Sequence, residues 1–284
     1  MARRKHRINI ALFCDPVVVM TRQGKPGASI AADTEGGRAV RRPGTISAAP
    51  SFPARIARLD WAAIEGALDE HGYATTTPLL HADECTELTR LFSDDRRFRS
   101  RIDMARYRFG VGEYKYFAAP LPEPVAALRG ALYARLAPVA NRWMTALGQP
   151  ERYPPDLDAY LARCAAHGQD RPTPLLLHYT SGGYNCLHQD LYGALAFPLQ
   201  VTCVLSRAGV DYTGGELLLV EQRPRAQSRG AVIVLARGEA VIFPNRHRPV
   251  RGARGWFRVT VRHGVSRVHA GERLSLGIIF HDAE

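Results

Sequence analysis

The tetrapeptide His188-Gln189-Asp190-Leu191, inside YNCLHQDLYG, has the residue types and spacing for metal chemistry. Side chains alternate along a β-strand with a period of two, so His188 and Asp190 would project from one face toward a single ion. A neutral imidazole beside a hard carboxylate suits non-haem Fe(II), whose common protein site is a facial triad of two histidines and one carboxylate with open coordination positions. Such a triplet also arises by chance, as a surface or structural His and Asp. The rest of the chain must therefore supply the missing parts.

A second histidine has to arrive from a distant strand, and the candidates are His247, His263, His269 and His281. His263 closes the strand-like run FRVTVR and stands ten residues before Arg273. His269 falls in an expected turn and His247 in an arginine-rich loop. His263 is therefore the preferred third ligand, with His269 as the fallback. A Cys or Met set would have favoured copper or zinc, and none accompanies the pair.

The elements that position these residues are read from the texture of the chain. After Pro174 short apolar runs alternate with Gly, Asn, Asp and Pro: LLLHY, FPLQVTCVLS, GELLLV, AVIVLA, EAVIF, FRVTVR and LSLGIIF. Their spacing predicts an all-β jelly roll. Upstream, Asp60 caps an expected helix that carries Trp61, Ile64 and Leu68 and ends at Gly72, and a second helix is expected from Ala82 to Phe92. SDDRRFRSR reads as a solvated turn. RYRFGVGEYKYF, residues 106 to 117, reads as one irregular strand with Tyr107, Phe109 and Val111 in alternation; its Tyr, Lys and Arg either touch a substrate or snorkel from a sheet edge. From Pro122 apolar residues recur at steps of three and four to Leu147, a helix that Pro138 should kink or divide. The predicted fold is mainly β with N-terminal helices: a basic arm at residues 1–52, a helical support region at 53–173, and a double-stranded β-helix of the cupin type at 174–284.

At this point the residues resemble a known family, the Fe(II)- and 2-oxoglutarate-dependent oxygenases of the double-stranded β-helix fold. HGVSRVHAGER matches the pattern HxVxxVxxGxR that follows the distal histidine in many members, DYTGGELLL resembles the GGEL turn of the prolyl-hydroxylase-like branch, and GEAVIFPN resembles the strand before the distal histidine. The resemblance implies iron on His188, Asp190 and His263, with Arg273 pairing with the distal carboxylate of 2-oxoglutarate and Ser275 adding a hydrogen bond. Tyr179 is similar to a cosubstrate-contacting tyrosine of the AlkB-like nucleic-acid dealkylases; Tyr184 and Asn185 are weaker candidates. It further implies O2 as co-reactant and hydrogen abstraction from a bound substrate. The block HYTSGGYNCLHQDLYG to GIIFHDA also resembles a bacterial oxygenase family classed with the oxidative demethylases of damaged DNA.

Charge bears on the substrate. The net charge is +11, and residues 1–52 hold nine Lys/Arg against three Asp/Glu. From Glu221 to Arg273 there are twelve Arg and three Glu, a positive field that favours an anionic substrate, nucleic acid being the simplest. An alkylated base in a single strand, or flipped from a duplex, would then be the target, stacked on Trp256, Tyr192 or Tyr212. The AlkB-like dealkylases carry RxNxTxR after the distal histidine, whereas here Ser275 and Ile279 follow Arg273, which draws the site toward hydroxylases of protein side chains or small molecules. Two further readings are a non-catalytic cupin-like binding protein and a DNA-associated protein acting through its basic arm. Five scattered cysteines without CxxC fit a reducing cytoplasm, and no apolar run approaches the roughly 20 residues of a membrane span.

Overall fold

The computed structural model describes residues 50–284, so the expected arm lies outside the described residues except at its last three positions. Helix α1 (Phe52–Ala57) already buries Phe52 and Ile56, and helical packing thus starts ahead of the expected cap at Asp60. In α2 (Trp61–His71) the Asp60 carboxylate accepts from the Ala63 N–H at 3.0 Å, and Gly72, with φ of 85°, closes the helix. Helix α3 (Ala82–Leu91) opens with the Glu84 carboxylate accepting from the His81 N–H at 2.7 Å.

Helix α4 (Glu123–Ala146) runs unbroken through Pro138, because Leu132 and Leu136 before it and Val139 and Trp143 after it bury one continuous stripe. The missing hydrogen bond is outweighed by that packing. Helix α5 (Leu157–Ala165) follows, capped by the Asp156 carboxylate on the Ala159 N–H.

The strands are β1 (Ala74–Thr75), β2 (Phe98–Asp103), β3 (Gly110–Val111), β4 (Glu113–Phe117), β5 (Leu175–Thr180), β6 (Tyr184–His188) and β7 (Leu199–Val204). They continue as β8 (Tyr212–Gly214), β9 (Leu217–Gln222), β10 (Arg229–Ile233), β11 (Ala240–Pro244), β12 (His247–Gly252), β13 (Gly255–Val265) and β14 (Val268–Ile279). One sheet orders them β1-β11-β7-β14-β5-β4-β2, with β8 on β14; the other orders them β10-β9-β13-β6-β3, with β12 on β13. Every pairing between the named strands is antiparallel, and the two sheets form the double-stranded β-helix.

Alternation along the larger sheet separates two cores. On β14, Leu274, Leu276 and Ile278 join the helices in one apolar cluster, and on β11 Ala240 and Ile242 do the same. Val241 and Phe243 face the other way, into the space between the sheets, with Val204, Leu219 and Val261. Arg273, Ser275, Gly277 and Ile279 share that inner side and line a cavity there.

Two segments differ from the sequence reading. Residues 98–101, the second half of the expected solvated turn, belong instead to β2 on the outer edge of the larger sheet, where Arg101 pairs with Glu113 across the strands. Charged side chains suit an edge strand, and their density hides its strand character. Residues 106–117 do not form one strand: β3 joins the smaller sheet through Asn185 and β4 the larger through His178. Gly110 and Gly112, at φ of 145° and 143°, make the crossing, and a Cβ on Gly110 would sit 2.2 Å from the Tyr184 carbonyl oxygen. The larger sheet thus recruits strands from before residue 174, within the segment expected to be helical support.

Candidate active site

His188 ends β6, and Asp190 lies two residues further on, just past the strand. His263 is directly opposite His188 in the β13–β6 pairing, which brings the imidazoles to 4.2 Å between ring centroids. The His263 Nε2 atom stands 3.1 Å from one Asp190 oxygen and the His188 Nε2 atom 3.5 Å from the other. These spacings are close to the roughly 3 Å edge of an octahedral site with bonds of about 2.1 Å. Among the described residues this is the one cluster of three His, Cys, Asp or Glu side chains able to hold a metal. His188 Nδ1 lies 2.8 Å from the Cys186 carbonyl, which leaves Nε2 as the free ligand atom once Nδ1 carries the proton.

The carboxylate is held from behind. Tyr192 donates its hydroxyl to Asp190 Oδ1 at 2.7 Å and receives one from Tyr116 at 2.9 Å. Burial pushes the Tyr192 phenol well above its ordinary value, and the Asp190 charge adds to that, so Tyr192 stays a neutral donor. Burial would raise Asp190, but the two imidazoles beside it hold its carboxyl well below the usual range. Burial, then the charge on His188, lowers His263. The cluster is a buried anion facing two imidazoles, a donor set suited to a divalent cation.

Farther into the cavity stands Arg273. Its side chain is sealed from water, with 2% of the residue exposed. Its guanidinium lies 5.7 Å from the Tyr179 ring centroid and 5.9 Å from that of Tyr212, and Nη1 donates to Ser275 Oγ at 3.1 Å. It forms no ion pair with any carboxylate among the described residues, and its Nε has no acceptor. The Tyr179 hydroxyl and the Gln200 side-chain nitrogen are equally buried and unpartnered. Burying an unpaired guanidinium with orphaned donors is costly unless an anion completes it. A planar fork suits a carboxylate.

Both groups line one cavity of about 380 Å³ between the sheets. Leu175, Leu177, Thr202 and Ile279 form its larger-sheet wall, and Leu217 and Val265 its smaller-sheet wall. His188 is its most open ligand, its side chain 35% exposed, so the mouth lies on that side. Arg108 and Phe109 from the segment before β3 complete the lining.

The other candidates fall elsewhere. His247 pairs with Thr260 at the start of β12, so the expected loop is a strand. His269 is exposed on β14, and its carbonyl accepts from Ser181. His281 is buried, takes the Phe197 N–H at 3.2 Å and stands outside the ligand cluster. Of the residues expected to stack on a base, Tyr212 is buried beside Arg273 and Tyr192 is committed to Asp190, while Trp256 is exposed under the Arg251 guanidinium. Asn185 lines the cavity, and Tyr184 lies under Arg267.

The arginines from 223 to 267 divide by contact. Arg248 is buried on Glu221 at 2.6 Å and caps α2 through the Asp69 carbonyl, and Arg223 also pairs with Glu221. Arg246, Arg251, Arg258 and Arg262 are exposed and form no ion pair among the described residues. Gln200 carried no sequence signal, for it is marked only by facing the cavity from the larger sheet, whereas Tyr116 lies in the 106–117 run whose tyrosines were expected either at a substrate or at a sheet edge.

A family model, Oxygenase-NA, described as an oxygenase catalysing oxidative methylation of damaged DNA, matches residues 112–283. An uncharacterised protein of Mycobacterium tuberculosis is 52% identical over 167 residues, 59% of this chain and 72% of its own length. Among solved structures, a prolyl-4-hydroxylase of Pseudomonas putida is 17% identical with a TM-score of 0.43, over 79% of this chain and 99% of that one. A 2-oxoglutarate-Fe(II) oxygenase family oxidoreductase of Burkholderia pseudomallei is 18% identical with a TM-score of 0.43, over 78% and 92%.

Proposed function

This chain belongs to the oxygenase family whose model it matches over residues 112–283, and from that premise we propose that it is an Fe(II)- and 2-oxoglutarate-dependent dioxygenase that demethylates alkylated bases in nucleic acid. The observation that carries the cofactor assignment is the sealed Arg273, without an acidic partner among the described residues, in the same cavity as His188, Asp190 and His263. When bound, iron, 2-oxoglutarate and O2 supply oxidative decarboxylation of the cosubstrate coupled to oxidation of a substrate C–H bond.

The residues of this chain bind, orient and shield. His188, Asp190 and His263 would hold the metal, a donor set suited to non-haem Fe(II). Arg273 receives the distal carboxylate, Ser275 and Tyr179 add hydroxyl donors, and the apolar walls from Leu175, Leu177 and Leu217 exclude water. Tyr192 fixes the Asp190 carboxylate so that its other oxygen faces His263. An N-methyl group placed before the metal would become N–CH2OH, which releases formaldehyde and restores the N–H of the base.

The nucleic-acid substrate is supported by the exposed Arg246, Arg251, Arg258 and Arg262, which form no ion pair among the described residues. Gln189, between the two metal-site residues, donates to the Val261 carbonyl at 2.8 Å and so ties that basic strip to the site. The cavity lies between sheets, so the base must be unpaired or flipped to reach it. Anaerobic titration with Fe(II) and 2-oxoglutarate tests the cofactors: a weak visible charge-transfer band is expected, and its absence would refute the oxygenase site. Admitting O2 with methylated single-stranded DNA then tests the substrate. DNA-stimulated succinate and formaldehyde are expected; a band without stimulation would reject nucleic acid and point to a protein or small molecule.

A further inference from the structure

The short segment ahead of β3 presents groups at the cavity mouth that the chemistry above does not use. Tyr107 and Phe109 are 49% and 47% exposed, and their rings stack on one another at 5.6 Å with 20° between planes. The segment is pinned at both ends. The Tyr107 and Phe109 N–H groups donate to the carbonyl of buried Met104, and the Phe109 carbonyl accepts from the Cys186 N–H at 2.8 Å, two residues before His188. Two large rings are thus held in water beside the metal-binding strand, where covering them is favourable.

The residues flanking the rings, Arg106 and Arg108, are cationic, and the nearby Asp103 carboxylate accepts the Ala105 N–H at 3.0 Å. Arg106 lies 5.9 Å from the Tyr107 ring centroid, and neither it nor Arg108 forms an ion pair among the described residues. Arg108 adopts φ of 61°, in the left-handed region that favours glycine, although its guanidinium makes no hydrogen bond to the described chain. An arginine standing where glycine would be relaxed points to a role for the side chain outside the fold.

We propose that Tyr107 and Phe109 are a stacking platform for unpaired bases of a single-stranded nucleic acid entering the cavity, with Arg106 and Arg108 on the neighbouring phosphates. This rests on the oxygenase reading of the cavity and names what its mouth recognises. Aromatic faces interleaved with unpaired arginines match alternating bases and phosphates. The competing occupant is a peptide strand added to the open edge of β3. That strand has two residues, and the surrounding charge gives a neutral backbone no advantage.

The test uses the full chain with Fe(II) and 2-oxoglutarate under anaerobic conditions, and a fluorescein-labelled oligothymidylate carrying one 2-aminopurine. Anisotropy reads binding, and quenching of 2-aminopurine reads stacking. The Tyr107→Ala/Phe109→Ala variant should lose the quenching and bind at least about tenfold more weakly, while Tyr107→Phe/Phe109→Tyr retains both. Arg108→Gly should lower the slope of log affinity against log salt by roughly one, with a melting temperature equal to or above wild type. If the alanine variant binds and quenches like wild type, the platform is wrong and the oxygenase stands. If wild type shows the charge-transfer band but binds no oligonucleotide, platform and substrate class both fall. If no band forms, the oxygenase reading itself fails.

Discussion

A guanidinium sealed from water without an acidic partner destabilises the empty protein, and its ligand relieves that cost. Arg273→Met should therefore melt no lower than wild type in the absence of 2-oxoglutarate, yet gain less than wild type from its addition. Loss of a charge-assisted contact of about 1.5–3 kcal/mol weakens cosubstrate binding by roughly 10- to 150-fold, readable by anaerobic titration. Tyr192 acts through the Asp190 carboxylate that it holds. Tyr192→Phe removes the donor on Asp190 Oδ1, and Fe(II) affinity measured by competition with a chelator should fall about 10- to 100-fold with little change in fold. These residues were unevenly legible in the sequence. His188 and Asp190 announce themselves by spacing, and Arg273 by its distance from His263. Tyr192 is legible as an aromatic near the metal pair, but the hydrogen bond from its hydroxyl to Asp190 shows only in the structure.

Among the elements, the turn before β9 governs whether Arg273 points correctly. Gly215 has φ of 66°, and a Cβ there would lie 2.9 Å from Arg273 Cδ and 2.9 Å from Val268 Cγ2. Gly215→Ala should cost about 1–2 kcal/mol of stability for the left-handed backbone and also weaken 2-oxoglutarate binding, as followed by urea unfolding and titration on the same samples. That turn was visible as GGEL. β12 was not, because Arg246, Arg248 and Arg251 gave RHRPVRG the texture of a loop, and its strand state comes from pairing with β13 and from Arg248 reaching Glu221 and the end of α2. β2 escaped for the same reason, charge at a sheet edge. α4 was legible by its period, and only the packing on both sides of Pro138 decided that it continues.

At the scale of the whole molecule, acid stability follows from His281, buried where the C-terminal segment meets Phe197. Burial lowers it to about 4, while the Asp190 charge works against that shift. In the unfolded chain it titrates near 6.5, so as pH falls the unfolded state takes the proton first. Its contribution is therefore complete above about pH 6.5 and is lost between roughly 6.5 and 4, by an amount on the order of 3 kcal/mol. His281→Asn should flatten that part of the urea-midpoint profile relative to wild type. The jelly roll itself was readable from the run of short apolar strands. The recruitment of β2 and β4 was not, for it depends on long-range pairing with β5. β14 has a consequence of its own: Leu274, Leu276 and Ile278 face the helices, and Arg273, Ser275 and Gly277 face the cavity. A saturation library across these six codons, sorted once for soluble expression and once for turnover, should give two interleaved sensitivity maps, odd positions scoring in one assay and even positions in the other.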